Sequence, residues 1–70
     1  MKFPEKNVVE SLRKQYPSGT RVALVKMDDL HAPPAGTEGT VVAVDGSLVM
    51  RWDNGSHLNV VYGEDVVRIL

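Results

Sequence analysis

Gly36-Thr37-Glu38-Gly39-Thr40-Val41-Val42-Ala43-Val44-Asp45-Gly46-Ser47-Leu48-Val49-Met50-Arg51-Trp52-Asp53-Asn54-Gly55 decides the fold of this 70-residue chain. Its apolar residues make two short strands, over 39–45 and 48–52, each followed by a tight turn. Asp45-Gly46 and Asp53-Asn54-Gly55 are the residues that hairpin turns demand, because such turns need positive φ angles. Trp52, the only tryptophan, alternates onto the same strand face as Leu48 and Met50. It therefore reads as core and not as a surface aromatic that stacks a base or grips a peptide. The pattern predicts a small, strongly bent β-barrel, and it specifies a fold far better than a chemistry.

Outward from this stretch the reading is consistent. Thr20 to Lys26 is a first strand, with Val22 and Leu24 on one face and Arg21, Ala23 and Val25 on the other. Residues 27–37 carry Pro33 and Pro34 and no periodicity, so they form one long loop, of a length more often functional than a simple connection. A further strand spans 56–61, Tyr62-Gly63-Glu64-Asp65 makes a single helical turn, and Val66 to Leu70 closes the sheet. Upstream, residues 4–16 are helical. Pro4 and Glu5 suit a helix start, and Val8, Val9, Leu12 and Tyr16 form one apolar stripe. Glu10 and Lys14 add an i, i+4 pair on the opposite side. A helix this short is not stable alone, so it docks on the strands, and Pro17-Ser18-Gly19 stops it. Five short strands with a long early loop and a turn before the last strand predict a five-stranded SH3-like barrel over 20–70 behind an N-terminal helix, all one domain.

Composition narrows the function classes. A chain of this size buries about 60% of the surface its unfolded form exposes, leaving a stability margin on the order of 3–5 kcal/mol. There is no cysteine, so disulfides, thiolate zinc sites and thiol nucleophiles are excluded. No apolar run reaches the roughly 20 residues that span a bilayer, and no apolar run follows Met1-Lys2-Phe3-Pro4-Glu5-Lys6. The expectation is a soluble, cytoplasmic protein. The net charge of −1 hides an asymmetry. Residues 1–26 hold six basic and two acidic groups, a net of +4, and residues 27–70 hold two basic and seven acidic groups, a net of −5. The strand-rich part repels a polyanion, so any nucleic-acid contact falls to the N-terminal portion.

Several segments together carry a family resemblance. Tyr16-Pro17-Ser18-Gly19-Thr20-Arg21-Val22, Met27-Asp28-Asp29, Ala32 to Val41, Arg51-Trp52-Asp53-Asn54-Gly55-Ser56 and Gly63-Glu64-Asp65 occur in an order that resembles a family of small bacterial and phage or mobile-element proteins, the DUF4314 family. The resemblance covers nearly the whole chain and implies no assigned activity. More loosely, Gly36-x-x-Gly39-x-Val41 followed by Trp52-Asp53-Asn54-Gly55 is similar to other SH3-like barrels, including ribosome- and transcription-associated ones and Mind-bomb-type peptide-binding domains. Nucleic-acid-binding relatives of that kind tend to be basic around the glycines, where this chain has Glu38.

Catalysis finds no support in the motifs. Ser18, Ser47 and Ser56 lie in or beside turns, without the positioned histidine and acid that a nucleophile needs. Gly36-Thr37-Glu38-Gly39 lacks the lysine and helix of a phosphate loop. Asp53-Asn54-Gly55-Ser56 lacks the further acids of a calcium loop and reads as a plain turn. Asp28, Asp29 and His31 fall short of the three or four ligands of a zinc site, and Asp-Asp in a loop caps its own backbone. No cofactor and no metal are expected.

The reading is therefore a non-catalytic interaction module for a protein or peptide segment. Its contact surface is the long loop with the hairpin tip: Asp28, Asp29, Leu30, His31, Asp53 and Asn54. Their acidity, with Glu38, favours a basic partner. The alternative is a small accessory nucleic-acid binder using Arg13, Lys14, Arg21 and Lys26, in the range of roughly 10⁻⁴–10⁻⁶ M for non-specific binding. A third option is a structural piece that works only when assembled, through Val25, Val49 or Leu70 on an exposed edge.

Overall fold

The structure, a computed structural model, describes residues 6–70. A helix, α1 (Lys6–Gln15), precedes five strands, β1 (Arg21–Lys26), β2 (Glu38–Val44), β3 (Ser47–Trp52), β4 (Val60–Val61) and β5 (Val66–Ile69). The expected helix start at Pro4 and Glu5 lies outside the described residues. The strands pair antiparallel in one sheet of order β4-β3-β2-β1-β5. The mainly β class, the five strands and the single helix are as the sequence predicts. The sheet is open, with β4 and β5 at its two ends.

One cause of the opening is local. The strand expected over 56–61 shrinks to Val60–Val61, because the end of β3 bonds to other groups. The Met50 amide donates to the Asn59 side-chain Oδ1 (3.2 Å), and the indole Nε1–H of Trp52 donates to the Leu58 carbonyl (2.7 Å). The Trp52 amide donates to the Ser56 carbonyl at 3.3 Å. Residues 56–59 thus bow around the edge of the indole, and a ladder cannot form there.

The core collects Val22 and Leu24 from β1, Val41 and Val44 from β2, Leu48, Met50 and Trp52 from β3, Val60 from β4 and Leu12 from α1. Trp52 is 2% exposed, as its alternation predicts. The predicted helical stripe is the docked one, since Val8, Val9 and Tyr16 pack against this cluster beside buried Leu12. Ala23 is also buried, but outside the cluster, on the opposite face of β1.

Two irregularities bend the sheet. Val41 pairs with Met50 and Ala43 with Val49, which leaves Val42 as an extra residue, a β-bulge. A bulge shifts the inward phase by one, so Val41 and Val44 both point into the core while Val42 and Ala43 are exposed. The segment after α1 is anchored at the bulge: the Gly19 amide donates to the Val41 carbonyl (2.7 Å) and the Ser18 hydroxyl to the Val42 carbonyl (3.1 Å). A second shift, at Val25, separates the Leu24–Val67 and Lys26–Val66 pairs.

Gly39 stands opposite Trp52 in the β2–β3 register. A Cβ there would lie 2.6 Å from the indole Cε3 and 3.1 Å from the Arg51 carbonyl oxygen. The bare backbone of β2 is the surface on which the tryptophan ring rests. In the hairpin turns the positive φ that the sequence calls for falls on the glycines, Gly46 and Gly55, and not on Asp45 or Asn54. In the second turn the Gly55 amide donates to the Trp52 carbonyl (3.0 Å), the pattern of a turn closed by a left-handed glycine.

Candidate functional site

Strand β1 carries a different charged group at each end. At its start, Arg21 donates to Asp53 twice, Nη1 to Oδ1 at 2.9 Å and Nη2 to Oδ2 at 2.5 Å. It also donates to the Thr40 hydroxyl at 2.9 Å and reaches Glu38 at 3.4 Å. The Asp53 amide bonds the Glu38 carbonyl at 2.9 Å, which fixes the carboxylate in place. This fork-to-fork geometry is the strong form of an exposed ion pair. Its hydrogen bonds hold the Asp53 carboxyl below the usual carboxylate range and push the Arg21 guanidinium still higher.

That pairing separates residues the sequence reading grouped. Asp53 is already neutralised by Arg21, and Asn54 serves its own turn by accepting the Ser56 amide (3.0 Å). The basic set divides too. Arg13 directs its Nε–H to the Val44 carbonyl (3.0 Å), Lys14 is exposed on α1, and Arg21 is spent on carboxylates. Arg21 and Lys26 mark opposite ends of a six-residue strand, about 16 Å apart at the usual rise.

At the other end of β1, Lys26, Asp28, Glu64 and Asp65 line a depression of about 340 Å³. The Lys26–Val66 pairing brings the turn before β5 beside the first residues of the long loop. That turn is tied by the Glu64 and Asp65 amides, which donate to the Val61 carbonyl at 3.2 and 3.0 Å. The Asp65 carboxylate in turn accepts the Val61 amide at 2.8 Å. Three acidic residues and one lysine thus share the lining of this depression.

The long loop has local order of its own. Asp29 accepts the His31 amide through Oδ1 (2.7 Å), and its carbonyl accepts the Ala32 amide (3.1 Å), the self-capping that Asp in a loop provides. Pro33 is buried, and the Gly36 amide and Thr37 carbonyl bond back to Leu24. Between these anchors, Leu30 is fully exposed and His31 is exposed. Among the described residues, no three histidine or acidic side chains gather in a way that could hold a metal ion.

A second feature lies next to the acidic depression. A groove of about 180 Å³ runs between α1 and the two ends of the sheet. Leu12, Leu48 and Val60 are its buried floor, and Tyr16, Tyr62 and Val66 its walls. Asp65 lines both this groove and the depression. Glu64, Asp65, Tyr62 and Val66, which line these two features, are not singled out by the sequence. The turn they belong to was legible, but its neighbour across the sheet was not. For the third option, Val25 and Leu70 are about half exposed, whereas Val49 is partly buried on an inner strand.

A family model described as "Domain of unknown function (DUF4314)" matches residues 5–70, and the chain belongs to that family. No curated protein and no solved structure matches it. None of the described helices is long and apolar enough to cross a membrane.

Proposed function

We propose that this DUF4314 protein is a non-catalytic interaction module that holds a basic segment of another protein between the long β1–β2 loop and the turn before β5. One observation carries the reading: Asp28, Glu64 and Asp65 line one open depression with a single lysine, Lys26. An excess of negative charge there favours an incoming cation and raises its encounter rate. Leu30, fully exposed on the same loop, offers an apolar contact beside it. Asp53 and Asn54 leave the contact surface, because the first is paired and the second shapes its turn. The strand order, the long first loop and the bulged β2 support an SH3-like barrel, left partly open, as the frame that presents this surface.

The test is a titration of ¹⁵N-labelled protein with a capped hexa-arginine peptide, a capped hexaglutamate peptide and a short DNA duplex. The amides of Asp28 and Glu64 should move with the arginine peptide alone. The effect should weaken as salt shortens the screening length below about 10 Å, and disappear in the Asp28→Asn, Glu64→Gln double variant but persist in Asp45→Asn. Shifts confined to Arg13 to Lys26 on adding DNA would overturn the proposal in favour of the nucleic-acid reading. No shift at Asp28 or Glu64 with any peptide would also overturn it.

A further inference from the structure

The hairpin tip after β3 carries a bond with chemistry of its own. Asn54 is followed by Gly55, and both residues are exposed. A backbone nitrogen can attack the side-chain amide of an asparagine just before it, and the residue that owns the nitrogen sets the access. At Gly55 there is no Cβ, and apart from its chain neighbours nothing lies within 4 Å of where one would stand. Asn7 and Asn59, the other two asparagines, precede Val8 and Val60, whose branched Cβ crowds the same approach. The folded turn engages both reactive groups at Asn54. The Gly55 N–H donates to the Trp52 carbonyl (3.0 Å), which shelters its proton from base. The Asn54 Oδ1 accepts the Ser56 amide (3.0 Å), which ties the side chain to the backbone two residues on. Arg21 fastens the preceding residue, Asp53, to the start of β1.

We infer that Asn54–Gly55 is a self-modification site that the folded tip restrains and that reacts when the tip opens. The Gly55 nitrogen gives up its proton and bonds to the Asn54 Cγ. The Cγ–Nδ2 bond breaks, and the side-chain amide leaves as ammonia with a proton. Water then opens the five-membered succinimide ring. Attack at Cγ leaves aspartate at position 54; attack at the main-chain carbonyl leaves isoaspartate, with the chain running through Cγ. Either product adds a carboxylate next to Asp53, one of the two that Arg21 already holds. The isoaspartyl link also lengthens the backbone inside a turn that Gly55 closes at a φ of 89°. A transient local opening thereby becomes a lasting change of charge and shape at the tip.

The test is incubation of the full chain at mildly alkaline pH, with and without guanidinium chloride, followed by peptide mass spectrometry that separates aspartate from isoaspartate. In denaturant Asn54 should convert well ahead of Asn7 and Asn59. In the folded chain it should convert about thirtyfold more slowly, the factor that two turn hydrogen bonds supply. Arg21→Gln, at an exposed position, should speed the folded reaction by up to about fivefold, the ceiling for an exposed ion pair. Hydrogen exchange at Val22 and Val41 should stay unchanged in that variant, which shows that the rest of the sheet is intact. Conversion in denaturant no faster at Asn54 than at Asn7 and Asn59 would overturn the site. Equal rates in the folded and denatured chain would overturn the restraint. A folded rate that Arg21→Gln leaves unaltered would overturn the part given to the ion pair.

Discussion

The β2–β3 hairpin and the two end strands of the same sheet, β4 and β5, are built by opposite rules. The hairpin is paired from Gly39–Trp52 to Val44–Leu48 around one bulge, and its two strands supply five core side chains, with Trp52 resting on the bare backbone of Gly39. The end strands are a two-residue β4 and a β5 that pairs only with β1, with exposed Val61, Tyr62, Val66 and Ile69. One half holds the fold and the other half displays apolar surface beside charge. The difference shows how a chain this small can keep apolar and charged residues exposed. The close packing is concentrated in one hairpin, and the sheet ends are left unfinished.

The largest effect is expected at the centre of the hairpin. Trp52→Ala removes the largest fully buried side chain and should cost about 3–5 kcal/mol. That equals the whole margin expected of a domain this size, on the order of 3–5 kcal/mol. The expected outcome is an unfolded chain by circular dichroism and a collapsed amide spectrum. A variant that stays cooperative and loses under 1 kcal/mol, against the roughly 3 kcal/mol minimum of such truncations, would show that the hairpin is not where stability is held.

Gly39→Ala is next in size. The added methyl meets the indole at 2.6 Å and the Arg51 carbonyl at 3.1 Å, and backbone cannot give way as a flexible side chain can. Overpacking of this sort costs about 1–3 kcal/mol, read as a lower urea midpoint at unchanged slope. An unchanged midpoint would mean that the ring can slide off β2, and that the packing of this half is looser than its geometry.

These two positions also mark how far the sequence can be read. Trp52 as core, the two turns, the helical stripe and the five strands follow from period, turn residues and propensity, all of them local signals. The short β4 does not follow, because residues 56–59 look like a strand. What defeats the ladder is a side-chain competition, Asn59 for the Met50 amide and the Trp52 indole for the Leu58 carbonyl. The bulge at Val42 was equally hidden: a Val-Val pair carries no mark of the extra residue. At the site the limit is pairing across the fold. Arg21 and Asp53, 32 residues apart, fall in rival surfaces when read from sequence, because composition counts charges without seeing partners. Glu64 and Asp65 were missed for the converse reason, since only the β1–β5 pairing sets them beside Asp28.

A smaller effect tests the boundary between the halves. Asn59→Ala removes the acceptor for the Met50 amide, a partly buried donor at 3.2 Å, and should cost about 1 kcal/mol. Hydrogen exchange should rise at Met50 and Val60 while Val41 and Val22 stay protected. Uniform acceleration would mean that the two halves open as one unit.

The smallest effect concerns the ion pair that ties the hairpin tip to β1. Asp53 has its carboxyl lowered by the hydrogen bonds of Arg21, so its pairing stabilises the fold above the ordinary carboxylate range. That stabilisation fades as pH falls through this range and is gone once the folded carboxyl is protonated. Both partners are exposed, so salt should screen the pair and the contribution should be slight. The measurement is the difference in urea midpoint between the native chain and Asp53→Asn across this pH interval, at low and high salt. The difference should be largest near neutral pH in low salt and shrink toward zero in acid. A difference that ignores both pH and salt would mean that Asp53 acts through its turn and not through Arg21. In that case Arg21 would be available to a partner, and the division of charge between the two ends of β1 would no longer hold.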